Sequence, residues 1–266
     1  APAMNQGYGN STTTASDVTD MVAARQVLLA LCEPCFYFVF EGYAMIYTTA
    51  SQAGMVVAAL PLAVVVAAWL LLGERPHRRV WIGFVLAVVG VVWLSAGSEA
   101  TESAPNPIFG NFLEVLAMLC GALYVVCAKQ LSSRCSPVLI TTMQSLIGLL
   151  FFLCLPLPAV KLPDSFPLLP TLAILYLGVG VTMLSFLLYN FAVRSVPASR
   201  TGAFLNLVPV LTLFMGMVFL DERLTAGQWA ASALVFGGVI LSQWKTAQSE
   251  EKADSSATAS LSEGAE

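Results

Sequence analysis

Eight stretches of this chain are apolar for about twenty residues each, and that pattern leaves few folds open. A helix rises about 1.5 Å per residue, so roughly 20 apolar residues match the roughly 30 Å hydrocarbon core of a bilayer. The stretches run from Ala24 to Ile46, Thr48 to Leu72, Val80 to Gly97, Phe109 to Lys129, Pro137 to Leu157, Leu168 to Val193, Ser199 to Leu220 and Ala226 to Trp244. A soluble globule of this length is excluded on charge. Only 11% of the residues are charged, against about 25% in soluble domains, too few to cover a water-facing surface. The chain therefore reads as an all-α integral membrane protein with eight transmembrane helices.

The connections carry most of the charge and many of the prolines, among them Pro105, Pro107, Pro156, Pro158, Pro163 and Pro167. Residues 1–21, rich in Asn, Ser and Thr, and the acidic tail 246–266 are expected to be disordered. The N-terminal stretch lacks the charged and then apolar order of a signal peptide. Threading the eight spans alternately places Arg25, Arg75, Arg78, Arg79, Lys129, Arg134, Arg194, Arg200, Lys245 and Lys252 on one side. Only Lys161 and Arg223 fall on the other. Basic residues concentrate on the cytoplasmic side, so both termini are expected there, in a plasma membrane such as the bacterial inner membrane.

The chain also repeats itself. A shift of 148 residues lays Ala50, Ser51 and Gly54 on Ala198, Ser199 and Gly202. It lays Pro61 on Pro209, Glu74-Arg75 on Glu222-Arg223, Trp81 on Trp229 and Gly90 on Gly238. Apolar composition alone yields matches among Ala, Leu and Val, not this register of rarer residues. The shift crosses an odd number of spans, so the copies are inverted in the membrane. Inverted repeats mark secondary transporters that bind substrate between their halves. The first copy, residues 22–98, holds three helices. After a linker at 99–108, the second copy, 109–245, holds five. The first copy is thus expected to be short by two helices, and pairing with a second copy of the chain would cover the face this leaves.

The matched blocks, Leu60 to Leu94 (LPLAVVVAAWLLLGERPHRRVWIGFVLAVVGVVWL) and Val208 to Leu241 (VPVLTLFMGMVFLDERLTAGQWAASALVFGGVIL), resemble the paired EamA domains of the drug/metabolite transporter superfamily. The shared pattern is an A-S-x-x-G approach, a proline within a helix, a Glu at the helix end and a glycine-rich closing helix. The resemblance implies a five-plus-five inverted-repeat bundle, here incomplete. It also implies a secondary transporter, many relatives of which export amino acids or other small metabolites. The competing reading is a non-transporting receptor or assembly subunit that keeps the fold. Polar groups converging inside the bundle favour transport; a filled apolar interior favours the other role.

Charged groups within spans are costly and are functional candidates by default. Glu33, Tyr37 and Glu41 follow one another at four-residue spacing and share a helix face. Pro34 frees a main-chain carbonyl beside them. Glu33 or Glu41 is suited to carry a proton or to meet a substrate ammonium group, and the plainer reading of each is a hydrogen bond to a neighbouring helix. Gln52 and Asn206 are further substrate-binding candidates. Glu114, beside Asn111, is expected to reach the membrane interface. Tyr124, Gln144, Tyr189 and Asn190 read most simply as interhelical glue. Glu74 and Glu222 read as structural helix-end carboxylates, and Pro61 and Pro209 as helix kinks.

Enzyme chemistry finds little support. A single histidine, His77, rules out H-E-x-x-H. No Asp lies inside a span, and no G-x-S-x-G turn or Walker motif is present. Cys32 and Cys35 form C-x-x-C without a second pair and read as inert buried thiols. No cofactor, metal or nucleic-acid partner is expected; the partners are a small-molecule substrate and the lipid bilayer.

Overall fold

A computed structural model of the chain describes residues 15–73, 76–155, 166–195 and 207–242. The described residues contain helices and no strand; Thr101 and Ala104 pair only across a tight turn.

The first span comprises α1 (Ala15–Ala30), a wide π-helical turn at Leu31–Phe36 and α2 (Tyr37–Tyr47). It is helical from Ala15, within the stretch expected to be disordered to residue 21. The sequence places the polar and acidic residues Ser16, Asp17 and Asp20 in its first turns, where a helix N-terminus favours them, and the helix runs on into the apolar span. The second span is α3 (Ala50–Val57) and α4 (Leu60–Leu72). Then come α5 (Arg78–Ala96), α6 (Pro107–Ser132) and α7 (Pro137–Cys154) as the third, fourth and fifth spans. The sixth span is α8 (Leu168–Leu175), a second π stretch (Tyr176–Met183) and α9 (Leu184–Ser195). The seventh is α10 (Leu207–Phe219) and the eighth α11 (Ala226–Ser242).

Local chemistry sets these boundaries. Thr49, Asn106 and Ser136 each accept a main-chain N–H from the first turn of the helix that follows them, at Gln52 (3.4 Å), Phe109 (3.2 Å) and Leu139 (3.2 Å). Thr225 and Gln228 exchange bonds reciprocally, the Thr225 hydroxyl accepting from Gln228 N (3.3 Å) and the Gln228 carbonyl from Thr225 N (2.9 Å). Gly73, at φ +70°, ends the second span in the left-handed conformation that glycine adopts freely. Pro61 interrupts the second span at Ala58–Ala59, as a proline without an N–H must. Pro209 lies in the backbone of α10, and its side chain is outside the described residues.

The fourth span is the central post. Of its apolar stretch 61% is buried, against 6% for the sixth span at the edge. One cluster joins it to the second, third and eighth spans through Leu62, Ala63, Ala87, Met118, Ala122 and Val235. Another joins it to the first and fifth through Leu29, Cys32, Tyr124, Ala128, Leu131 and Ile140.

The third and eighth spans, which the repeat pairs, cross backbone to backbone. A Cβ on Gly83 would collide with the Gly238 carbonyl oxygen; one on Gly90 would lie 2.9 Å from the Ala231 carbonyl oxygen. The helices therefore run antiparallel here. The 148-residue shift carries 83 to 231 and 90 to 238, so it converts each contact into the other. Such exchange of partners is the mark of a two-fold relation, here between the two copies within one chain.

The two π stretches obey the same shift. Leu31–Phe36 lands on 179–184, overlapping Tyr176–Met183. The sequence blocks align without a gap only from Ala44 onward, so this correspondence rests on geometry.

Candidate functional site

The first and fourth spans run antiparallel in close contact, and their seam holds a lane of polar groups. Tyr37 packs across Gly121, whose Cβ would lie 3.6 Å from the Tyr37 ring. Nearer the other end, Gly110 lies against Thr48, where a Cβ would come within 2.7 Å of the Thr48 Cβ. Glycine at these two positions lets the helices approach closely enough for polar side chains to meet across the seam.

Along the first span the lane comprises Glu33, Tyr37, Glu41 and then Thr48. Fifteen residues at about 1.5 Å each span roughly 22 Å, most of a hydrocarbon core. The Tyr37 hydroxyl donates to Glu41 Oε1 at 3.1 Å. Glu114 enters from the fourth span and is 1% exposed. Its Oε2 is buried without a hydrogen-bond partner. Glu41 lies within electrostatic reach of both Glu33 and Glu114, and Tyr37 of all three. The expectation that Glu114 reaches the interface is corrected: Glu114 and Gly121, seven residues apart, share the helix face that the first span covers.

At one end of the lane the first span opens. Glu33 has an extended backbone (φ −147°, ψ 116°) inside the wide turn, and Pro34 follows it. The Glu33 carbonyl oxygen accepts from Gln144 Nε2 of the fifth span at 2.9 Å. Gly148 makes room for Pro34, whose Cγ would lie 2.7 Å from a Cβ there. Gln144 Oε1 and the Tyr124 hydroxyl are buried without a hydrogen-bond partner, and Asn190 donates to the Thr141 hydroxyl at 3.0 Å. Gln144 thus serves as glue between the first and fifth spans. Gln144→Ala should destabilise the protein by about 1–2 kcal/mol by orphaning the Glu33 carbonyl. Thermal unfolding in mild detergent checks this, and an unchanged midpoint contradicts it.

At the other end, Gln52 Oε1 accepts from Ser98 Oγ (2.8 Å) and Asn111 Nδ2 (3.1 Å). Asn111 Nδ2 also donates to Ser95 Oγ (3.1 Å), and Thr48 Oγ1 donates to Asn111 Oδ1 (2.7 Å). The network ties the first four spans together one turn from Glu114. Gln52 therefore sits at the end of the lane, beside a polar pocket of about 410 Å³ on that face of the protein.

The structure brings Glu33, Tyr37 and Glu41 together and adds Glu114. Asn206 and Glu74 lie outside the described residues. Glu222 sits just beyond the end of α10, and its partners belong to the first repeat: Ala50 N donates to Oε1 at 3.0 Å and Ser51 N to Oε2 at 2.8 Å. Ser95 and Ser98 escape sequence reasoning because serine in a span is common. The i, i+3 pair Asn111 and Glu114 was the available signal.

Known proteins resemble this chain in sequence and fold. The chain is 32% identical over 209 residues to the uncharacterized transporter YetK of Bacillus subtilis, an alignment covering 77% of this chain and 63% of that protein. It is 28% identical to an uncharacterized transporter of Archaeoglobus fulgidus, over 77% of this chain and 72% of that one. The threonine/homoserine exporter RhtA of Salmonella typhimurium is 29% identical over 58% of this chain and 50% of its own length. The chain thus spans less than two thirds of YetK. A solved crystal structure with 21% identity superposes with a TM-score of 0.56 over 83% of this chain and 76% of that one, which shows a shared fold. The EamA-like transporter family matches residues 10–96 and 108–244, both copies of the repeat. With its apolar spans, its internal two-fold and matches over both copies, the chain belongs to the EamA-like transporter family, a family of multi-pass membrane transporters.

Proposed function

We propose that this transporter exports a small amine-bearing metabolite, an amino acid in the first instance, by alternating access of its two inverted repeats. The observation that carries the reading is the lane of Glu33, Tyr37, Glu41 and Glu114 along the first–fourth seam, the first three half-buried and Glu114 fully buried with one oxygen unpartnered. Carboxyl groups gathered away from lipid are what an ammonium group, or a coupling proton, would engage. Broken helices at corresponding positions in two repeats support the same reading, since transporters of this architecture bind substrate where their helices are discontinuous. The similarity to a threonine/homoserine exporter points to amino acids as the class. A non-transporting receptor or assembly subunit would have no use for such a lane. The basic-residue count argues for cytoplasmic termini in a plasma membrane, which puts the Gln52 end of the lane on the outer side.

Reconstitution into liposomes tests this. Labelled L-threonine, L-homoserine, L-alanine and the amine-free acid propionate are offered in parallel. Uptake or counterflow of at least one amino acid, with propionate excluded, is the expected result. Transport of propionate alone, or of none of the four, counts against the reading.

A further inference from the structure

The two repeats meet at the Ala50 end of the bundle along a seam between the second and seventh spans. Both oxygens of the Glu222 carboxylate accept main-chain N–H groups there, from Ala50 and Ser51. These N–H groups open α3, so they have no partner inside their own helix. The carboxylate also meets the positive end of that helix dipole. Glu222 belongs to the second repeat and Ala50–Ser51 to the first, so this cap is a bond between the repeats. Arg223, the adjacent base, does not share it: Arg223 reaches Asp221 at 3.9 Å on the surface.

The rest of the seam is close-packed: Met55 of the second span shares one buried apolar cluster with Leu213 of the seventh, and Met217 packs against it. A Cβ on Gly216 would collide with the Ser51 hydroxyl and lie 3.0 Å from Glu222 Oε2. A Cβ on Gly54 would lie 2.6 Å from Thr212 Cγ2. A glycine lies on one side of each of these two contacts, which brings the helices close enough for that cluster to form. The polar pocket beside Gln52 runs along this seam, with Thr49, Glu99 and Gln228 also in its wall. Water is therefore at hand for the carboxylate and for the N–H groups if they part.

We propose that Glu222 is a positioning residue of the transport cycle, a latch that joins the repeats at the Ala50 end and releases when that end opens. The inference rests on the transport reading above. Rocking of inverted repeats closes one face as it opens the other. A bond between the repeats at one face is therefore made in one state and broken in the other. Breaking it exchanges protein partners for water on both sides, so the net cost is small enough for a reversible switch. Weakening the latch shifts the population toward the state open at the Ala50 end.

Hydrogen exchange read by mass spectrometry on the whole chain in lipid nanodiscs tests the latch without any substrate. In Glu222→Gln, amides of residues 49–55 should exchange at least tenfold faster. Those of residues 128–140, at the opposite end, should exchange more slowly. Gly216→Ala keeps the carboxylate group but pushes a methyl group between Ser51 and Glu222 Oε2, and should give the same opposed pattern. Faster exchange at both ends would mean general destabilisation and overturn the latch. Faster exchange at 49–55 alone would mean a local helix cap and overturn it too, as would no change at either end. Failure of the wild-type chain to move any amino acid in liposomes is a separate result that counts against the transport reading; the opposed pattern bears on the latch alone.

Discussion

Gly238→Val should lower the apparent unfolding temperature of the purified protein by about 6–12 °C, while Gly237→Val, one residue away, should leave it nearly unchanged. A Cβ at Gly238 would stand 2.5 Å from the Gly83 carbonyl oxygen and 3.1 Å from Ala87 N, whereas one at Gly237 meets nothing within 4 Å. The obstacles at Gly238 are main-chain atoms of another helix, so no rotamer change relieves them. Overpacking of this kind costs typically 1–3 kcal/mol and more where backbone must move. About 3 kcal/mol corresponds to roughly 6–12 °C for a chain of this size. The repeat adds a sharper test. Gly83→Ala and Gly238→Ala wedge the same crossing, so the double variant should cost less than the sum of the two single ones, as mutations at one contact do. Equal sensitivity at Gly237 and Gly238, or strict additivity of the pair, would remove the backbone crossing from the account of this seam.

That crossing also shows what was legible in the sequence. The pairing of Gly90 with Gly238 under a 148-residue shift revealed a repeat. It did not reveal that Gly90 lies against Ala231 and Gly238 against Gly83, because a shift identifies equivalent residues and not neighbouring ones. Glu222 follows the same logic: its place at a helix end was plain, but its partners lie 171 and 172 residues away. Glu33, Tyr37 and Glu41 could be grouped because four-residue spacing is local information. Glu114 could not be added to them without knowing which face of the fourth span the first span covers. The π stretch at Tyr176–Met183 carries no proline, so nothing in its composition marked it as the counterpart of Leu31–Phe36.

Glu114 and Gln52 are both buried polar residues, Gln52 bonded to Asn111 one turn before Glu114, and replacing each by leucine should have opposite effects on stability. Gln52 is a satisfied acceptor. Gln52→Leu strands one Asn111 donor, whereas Ser98 Oγ keeps the Leu94 carbonyl as acceptor (2.7 Å), and a buried group left unmatched costs about 1–3 kcal/mol. A loss of roughly 1–3 kcal/mol is expected, read as a lower unfolding temperature. Glu114 is the reverse case. One of its oxygens already lacks a partner, so Glu114→Leu removes an unmet polar group from the bundle and should leave stability unchanged or raise it. A residue kept for structure would not behave this way. If its carboxylate instead meets the amine of a transported solute, Glu114→Leu should cut amino-acid transport in liposomes at least tenfold, which corresponds to about 1.4 kcal/mol. Glu114→Asp, which keeps the charge on a shorter arm, should recover part of that loss. Activity falling while stability holds would assign Glu114 to the solute path. Activity and stability falling together would make Glu114 a packing residue and move the solute path elsewhere in the lane, toward Glu33 and the open turn of the first span.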